Sequence, residues 1–156
     1  SIVDEKAKLR ILFTLRMHRW TEFALKILRG EKIRDDKASR MFGEERWRRM
    51  KASADAERNY VILGEVMNEQ HSLLRDLNDV SLPELEKICN AALDAGAYGA
   101  KISGAGMGGS IIALVRDERH GKTVIDACVK AGAKEGWVSK VGEGVKTEFE
   151  IPKEQS

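Results

Sequence analysis

Residues 99–115 read Gly-Ala-Lys-Ile-Ser-Gly-Ala-Gly-Met-Gly-Gly-Ser-Ile-Ile-Ala-Leu-Val, and no other stretch restricts the fold so strongly. Four glycines, Gly104, Gly106, Gly108 and Gly109, fall within six residues, between a mixed run and an apolar one. Glycine loses more conformational freedom on folding than any other residue. A cluster of it between two strand-like runs therefore needs a reason: a backbone at positive φ, or one that must come very close to something. A loop of bare N–H groups is also a ready anion nest, with phosphate as its common guest. A tight hairpin without a ligand explains the glycines equally well, and a lone Gly-rich loop is weak evidence.

The surrounding pattern sets the topology. Residues 4–30 predict an amphipathic helix, with Leu9, Phe13, Met17, Trp20, Ala24 and Ile27 on one face and Gly30 as its stop. Residues 31–37 are a charged connector. Residues 38–51 set Arg40, Arg46, Arg48, Arg49 and Lys51 around Met41, Phe42 and Trp47. That cluster has a phosphate or nucleic-acid reading, but the interleaved Glu44 and Glu45 favour a solvated helix face with Trp47 as a packing residue. Residues 52–77 predict a second long helix with a stripe of Tyr60, Leu63, Met67, Leu74 and Leu77. Its polar interruption places Asn68 and His71 three apart on one face, where they line a pocket or form the wet side. His71 has no partner at metal-ligand spacing.

Ser81-Leu82-Pro83-Glu84 opens a third helix as a capping box with Pro in the first turn. Its buried stripe is Leu82, Leu85, Ile88, Cys89, Ala92 and Leu93, and Gly96 is its C′ residue. The glycine hairpin follows, with strands near 98–103 and 110–115. The second is apolar at five successive positions, 111–115, which suits a strand buried on both faces. Residues 118–131 predict a fourth helix with Val124, Ile125, Cys128 and Val129 inward. Residues 136–141 and 145–151 are expected as two further strands around Gly142-Glu143-Gly144, with Val145, Thr147, Phe149 and Ile151 alternating. Residues 153–156 are a frayed tail. The order predicts an α+β sandwich whose four-stranded, largely antiparallel sheet is covered by helices, with extra N-terminal helices.

At 156 residues the chain suits a single domain, with 42% hydrophobic residues to fill a core and 33% charged residues for its surface. It has no apolar run long enough for a transmembrane helix, and its first residues lack a signal-peptide core. Cys89 and Cys128 sit in helix-like apolar patterns as buried small hydrophobes, which fits a cytoplasmic location. A net charge of +2 says nothing for or against nucleic acid. The candidate strands show Tyr98, Trp137 and Phe149 without an RNA-binding motif, so nucleic-acid binding is not favoured.

Taken together, Leu-Gly-Glu-Val-Met-Asn-Glu-Gln-His-Ser-Leu-Leu-Arg at 63–75, Ser-Leu-Pro-Glu-Leu at 81–85, residues 96–115 and Lys-Val-Gly-Glu-Gly-Val at 140–145 resemble the carboxy-terminal part of the GHMP kinases. These matches run from about Gly64 to Lys146, whereas residues 1–51 carry no motif of that family. The resemblance divides the chain into a helical extension (1–51) and a kinase C-terminal-type lobe (52–151). It implies a ferredoxin-like lobe of an ATP- and Mg²⁺-dependent kinase for a small alcohol, whose nucleotide and substrate sit in a cleft between two lobes. The glycine loop resembles the family's third motif, which passes an ATP- and substrate-binding role to Ser103, Gly104, Ala105, Gly106, Met107, Gly108, Gly109 and Ser110. Asn68, His71 and Lys101 are candidate pocket-lining residues.

The family's Pro-x-x-x-Gly-Leu-Gly-Ser-Ser-Ala segment and its acidic catalytic residue have no counterpart here. No catalytic residue and no Mg²⁺ ligand is therefore assigned, and an amino-terminal kinase lobe is the implied partner. A piece of a longer enzyme, half of a split kinase and a lobe that only binds all stay open. Met107 and Gly96-Ala97-Tyr98-Gly99-Ala100 lean towards galactokinase. Lys101, residues 81–85 and the closing Gly-Val pattern lean towards mevalonate kinase, which is preferred as the acceptor type.

Overall fold

The heptad-like spacing near the N-terminus becomes α1 (Ile2–Leu28), a helix of 27 residues. The computed structural model describes residues 2–78, 81–104 and 109–142. Trp20 and Ile27 are buried on the expected face, with Met17 and Ala24 packed beside them. The most buried side chain of α1 is Phe23, at 1% exposure, whereas Leu9 lies outside the core. Residues 38–51 form two helices, α2 (Asp35–Phe42) and α3 (Glu44–Lys51), because Gly43 takes φ 88°, a left-handed conformation that ends one helix and starts the next. Trp47 is indeed a packing residue: its ring is buried and parallel to Phe42, and its Nε1–H donates to Asp35 at 3.0 Å.

Helix α4 (Asp55–Asn78) corrects the expected stripe. Tyr60 is 46% exposed, and Leu63, Met67, Leu74 and Leu77 are only partly buried. The buried positions are Ile62, Val66 and Leu73 on one side and Gly64 and His71 on the other. A single-face pattern fails because α4 is packed on two sides. Ile62, Val66 and Leu73 join Trp20, Phe23, Ile27, Phe42, Trp47 and Met50 in one core. Trp20 and Phe23 meet Phe42 there at ring-centroid distances of 4.8 and 5.4 Å. The opposite side of α4 meets the strand at residues 99–103 and, through His71, the helix that follows residue 82.

Helix α5 (Pro83–Asp94) starts with Pro83 in its first turn and is followed by Gly96 at φ 95°, as expected. Its cap differs from expectation. Leu82 is the N-cap and no side chain caps it, because the Ser81 hydroxyl is committed to Glu86. The hairpin pairs β1 (Gly99–Ser103) with β2 (Ser110–Leu114) in antiparallel register, from Gly99 opposite Leu114 to Ser103 opposite Ser110. Helix α6 (Glu118–Lys130) is capped by Asp117, whose carboxylate accepts from the His120 N–H at 2.8 Å. Val124 and Cys128 point inward, but Val129 is exposed. Ile88, Cys89 and Ala92 of α5, Ala97, Ala100 of β1, and Val124 and Cys128 of α6 make a second core.

The fold is therefore α+β, with six helices and a two-stranded antiparallel sheet among the described residues. Residues 136–141 form no strand. They run over α6, where a Cβ on Gly136 would touch Ile125 and one on Gly121 would strike Val138. The expected strand at 145–151 and the tail at 153–156 lie outside the described residues. Strand β2 is not buried on both faces: Ile111 and Ala113 pack into the second core, while Ile112 faces outward at 51% exposure.

Candidate functional site

The glycine loop is anchored on the hairpin's last register pair, Ser103 opposite Ser110. Ser103 is half-buried, and Gly104, Gly109 and Ser110 are exposed. Gly104 takes φ 84°, so this position is strained for any other L-residue. Among the described residues a Cβ built there meets nothing within 4 Å, so the demand is conformational. At Gly109 a Cβ would make an ordinary 3.7 Å contact with the Ser103 carbonyl, and bulk there is sterically acceptable. Ala105, Gly106, Met107 and Gly108 lie outside the described residues. Lys101, half-buried, stands two residues before Ser103 on β1, opposite Ile112.

The hairpin is seated on the second side of α4. Gly64 and Gly99 cross backbone to backbone: a Cβ on Gly64 would overlap the Tyr98 carbonyl, and one on Gly99 would overlap Gly64. One turn along the helix, Asn68 Oδ1 accepts from the Ala100 N–H of β1 at 3.0 Å. One turn further, His71 is 7% exposed, with Nε2 at 2.9 Å from Glu86 Oε1 of α5. That approach lies off the hydrogen-bonding direction, and among the described residues Nδ1 has no partner. Arg75 continues the same row and reaches the other Glu86 oxygen at 3.5 Å. Burial opposes ionisation of Glu86, yet the Ser81 hydroxyl, His71 and Arg75 outweigh it and hold the carboxyl below its ordinary pKa. Gly64, Asn68, His71 and Arg75 thus form one row at i, i+4, i+7 and i+11, the spacing of a single helix face.

Asn68 and His71, expected beside a pocket, are brought together on this row, where Asn68 bonds β1 and His71 abuts α5. Sequence reading did not single out Gly64, Gly99 or Glu86. The available signal was a glycine inside an otherwise helical run, which marks close approach of another backbone. Beside the crossing, Tyr98 stacks on Tyr60 at 5.9 Å, and Arg116 reaches Glu57 at 3.0 Å.

The basic cluster is largely absorbed by ion pairs. Arg40 pairs with Asp36 and Lys51 with Asp35 at 2.7 Å. Arg46 binds both Glu65 and Glu69 and lies 5.6 Å over the Phe42 ring. Cys89 and Cys128 are free and buried, and burial, with Glu86 and Cys128 nearby, pushes the Cys89 thiol to about 12. Among the described residues, no helix is long and apolar enough to cross a membrane.

A family model described as "GHMP kinases C terminal" matches residues 50–134, more than half of the chain. The match contains all of α4, the α4–β1 crossing, the glycine hairpin and α6. The chain belongs to the GHMP kinase C-terminal family. Among curated relatives, a galactokinase from Candida albicans is 40% identical over 79 residues, covering 50% of this chain and 15% of the relative. One from Streptomyces coelicolor is 43% identical over 75 residues, covering 46% of this chain and 19% of the relative. One from Pyrococcus furiosus is 40% identical over 79 residues, covering 50% of this chain and 22% of the relative. The chain thus spans less than a quarter of the length of these three galactokinases. The GHMP membership read from the ordered motifs is borne out.

Proposed function

We propose that this chain is the carboxy-terminal lobe of an ATP-dependent small-molecule kinase, and that its glycine loop forms one wall of the phosphate site. The observation that carries the reading is the family match across a hairpin whose loop starts from a left-handed glycine. Phosphoryl transfer is served by positioning and by charge stabilisation. In this reading main-chain N–H groups at Gly104, Gly109 and Ser110 are neutral donors to phosphate oxygens, and the absence of a Cβ at Gly104 lets a phosphate approach closely. Mg²⁺, when bound with ATP, neutralises phosphate charge. Among the described residues no group of three or more His, Cys, Asp or Glu could hold a metal ion. Ser103 and Ser110 close the loop's base, and Lys101 adds a cation two residues upstream.

The general base and the principal ATP loop are assigned to an amino-terminal lobe, in the same longer chain or in a separate subunit. The relatives are named galactokinases, which supports a sugar hydroxyl as acceptor over the mevalonate expected from the closing residues. Residues 1–51 are read as a helical extension that shares the lobe's core through α1 and α4. The test pairs the chain with an amino-terminal GHMP lobe and follows ATP-dependent phosphorylation of galactose and mevalonate. Turnover of galactose is expected. Turnover of mevalonate alone would reverse the acceptor, and no turnover of either, with ATP bound, would leave a binding module.

A further inference from the structure

Asn68 is a polar side chain on a helix whose two faces are otherwise used for packing, and its carbonyl oxygen is spent on a backbone amide of β1 rather than on its own helix. The bond falls at the second residue of a five-residue strand whose pairing with β2 runs without a break to Ser103 opposite Ser110. A strand is stiff along its length, and its register with a partner moves as a unit. The placement of β1 along α4 therefore sets the placement of Ser103 and Ser110, the two ends of the glycine loop. Gly64 and Gly99 bring the two backbones into contact at the preceding residue, but glycine against glycine is smooth and has no side chain to stop one element from sliding along the other. Asn68 adds a directional contact within β1, beside the Tyr60–Tyr98 stack that precedes the strand. The His71–Glu86 contact one turn on acts between α4 and α5 and does not touch β1.

We propose that Asn68 is a positioning residue for the glycine loop: it fixes where β1 lies on α4 and thereby where the loop's ends, Ser103-Gly104 and Gly109-Ser110, are held. The proposal deepens the kinase reading above and rests on it only for what the loop binds. It also separates two roles that one helix combines. Ile62, Val66 and Leu73 hold α4 in the fold, and Asn68 aims the hairpin.

The test uses the full chain labelled with ¹⁵N and needs no ligand. It compares Asn68→Leu, which has similar size and no acceptor, with Asn68→Asp, which retains an acceptor at neutral pH. Asn68→Ser, whose hydroxyl is too short to span the gap, stands in if the leucine variant does not fold, and Ile62→Val is the control on the opposite face. Amide exchange at Ala100 and the resonance positions of the Gly104 and Gly109 amides are read out. Loss of the acceptor should speed exchange at Ala100 by about tenfold or more, and should shift both glycine amides. Asn68→Asp should restore protection and return the glycine amides towards their original positions. Ile62→Val should lower the melting temperature while leaving the glycine amides in place. The proposal is overturned if Asn68→Leu or Asn68→Ser leaves Gly104 and Gly109 unmoved, or if Ile62→Val moves them equally. Because no phosphate is involved, that failure is distinct from a failure of the kinase reading, which appears as absent phosphoryl transfer. In an assembled kinase Asn68→Leu and Asn68→Ser should raise the KM for ATP more than they lower kcat, and Asn68→Asp should bring the KM back towards the parent value.

Discussion

The two sides of α4 are built from opposite materials. The side facing α1 is branched and apolar (Ile62, Val66, Leu73) and meets aromatic rings. The side facing the hairpin is Gly64, Asn68 and His71, with almost no apolar volume. Burial of aliphatic side chains is non-directional, roughly proportional to area, and tolerant of substitution with a similar volume. A glycine crossing and a single hydrogen bond tolerate neither added volume nor lost direction. One helix thus carries a side that supplies stability and a side that supplies geometry, and the family match spans both.

The sharpest way to break this comparison is to add volume to the side that has none. Gly64→Val places a side chain inside the Tyr98 backbone, and backbone cannot rotate away as a side chain can. Its expected cost exceeds about 4 kcal/mol, the range reserved for severe steric damage, and urea unfolding measures it. A cost under about 1 kcal/mol would mean that the crossing is loose. The opposite side should respond to volume in the other direction. Ile62→Ala should cost about 2–4 kcal/mol through the cavity it leaves, while Ile62→Leu should cost less than about 1.5 kcal/mol. The same unfolding experiment compares them.

A smaller effect separates the two sides by pH. The Glu86 carboxyl titrates lower in the folded chain than in the unfolded one, so the unfolded state binds more protons in the acid range and stability rises with pH there. Its contribution is complete above the ordinary glutamate value of about 4.3, and is lost as pH falls through the lower folded value. Glu86→Gln should therefore cost about 1–2 kcal/mol near neutral pH, and the difference from the parent chain should shrink below about pH 4. Thermal unfolding from pH 3 to 7 reads it. A difference that stays constant with pH would show that His71 and Arg75 do not favour the ionised carboxylate. Ile62→Leu should show no such pH dependence.

What was legible in the sequence follows from how local each signal is. Helix α1 was readable because Trp20 and Ile27 belong to a helix buried on one side, and α5 because Pro83 and Gly96 punctuate its ends through backbone chemistry alone. The hairpin was readable from its glycines and the apolar run behind them. Helix α4 was misread because a stripe template assumes one buried face: Leu63, Met67 and Leu74 fall between the two that exist, and Tyr60 stacks on Tyr98 beside the second. The Ser81 cap failed because a tertiary partner, Glu86, competes for the hydroxyl. Residues 136–141 have strand-like composition, but they pack on Gly121 and Ile125 of α6. At the site, the loop's base and Asn68 were visible as residue types. The role of Asn68 depends on which backbone lies above it, and that is a property of the fold.

The central claim, that the hairpin loop is the phosphate-facing wall of a GHMP kinase lobe, is tested most directly by titrating the ¹⁵N-labelled full chain with MgATP and mapping the amides that move. The account predicts saturable shifts centred on residues 103–110, lost when Gly104, held at positive φ, is changed to Val. Shifts that instead centre on Arg48 and Arg49 of α3, or shifts unchanged by Gly104→Val, would contradict it.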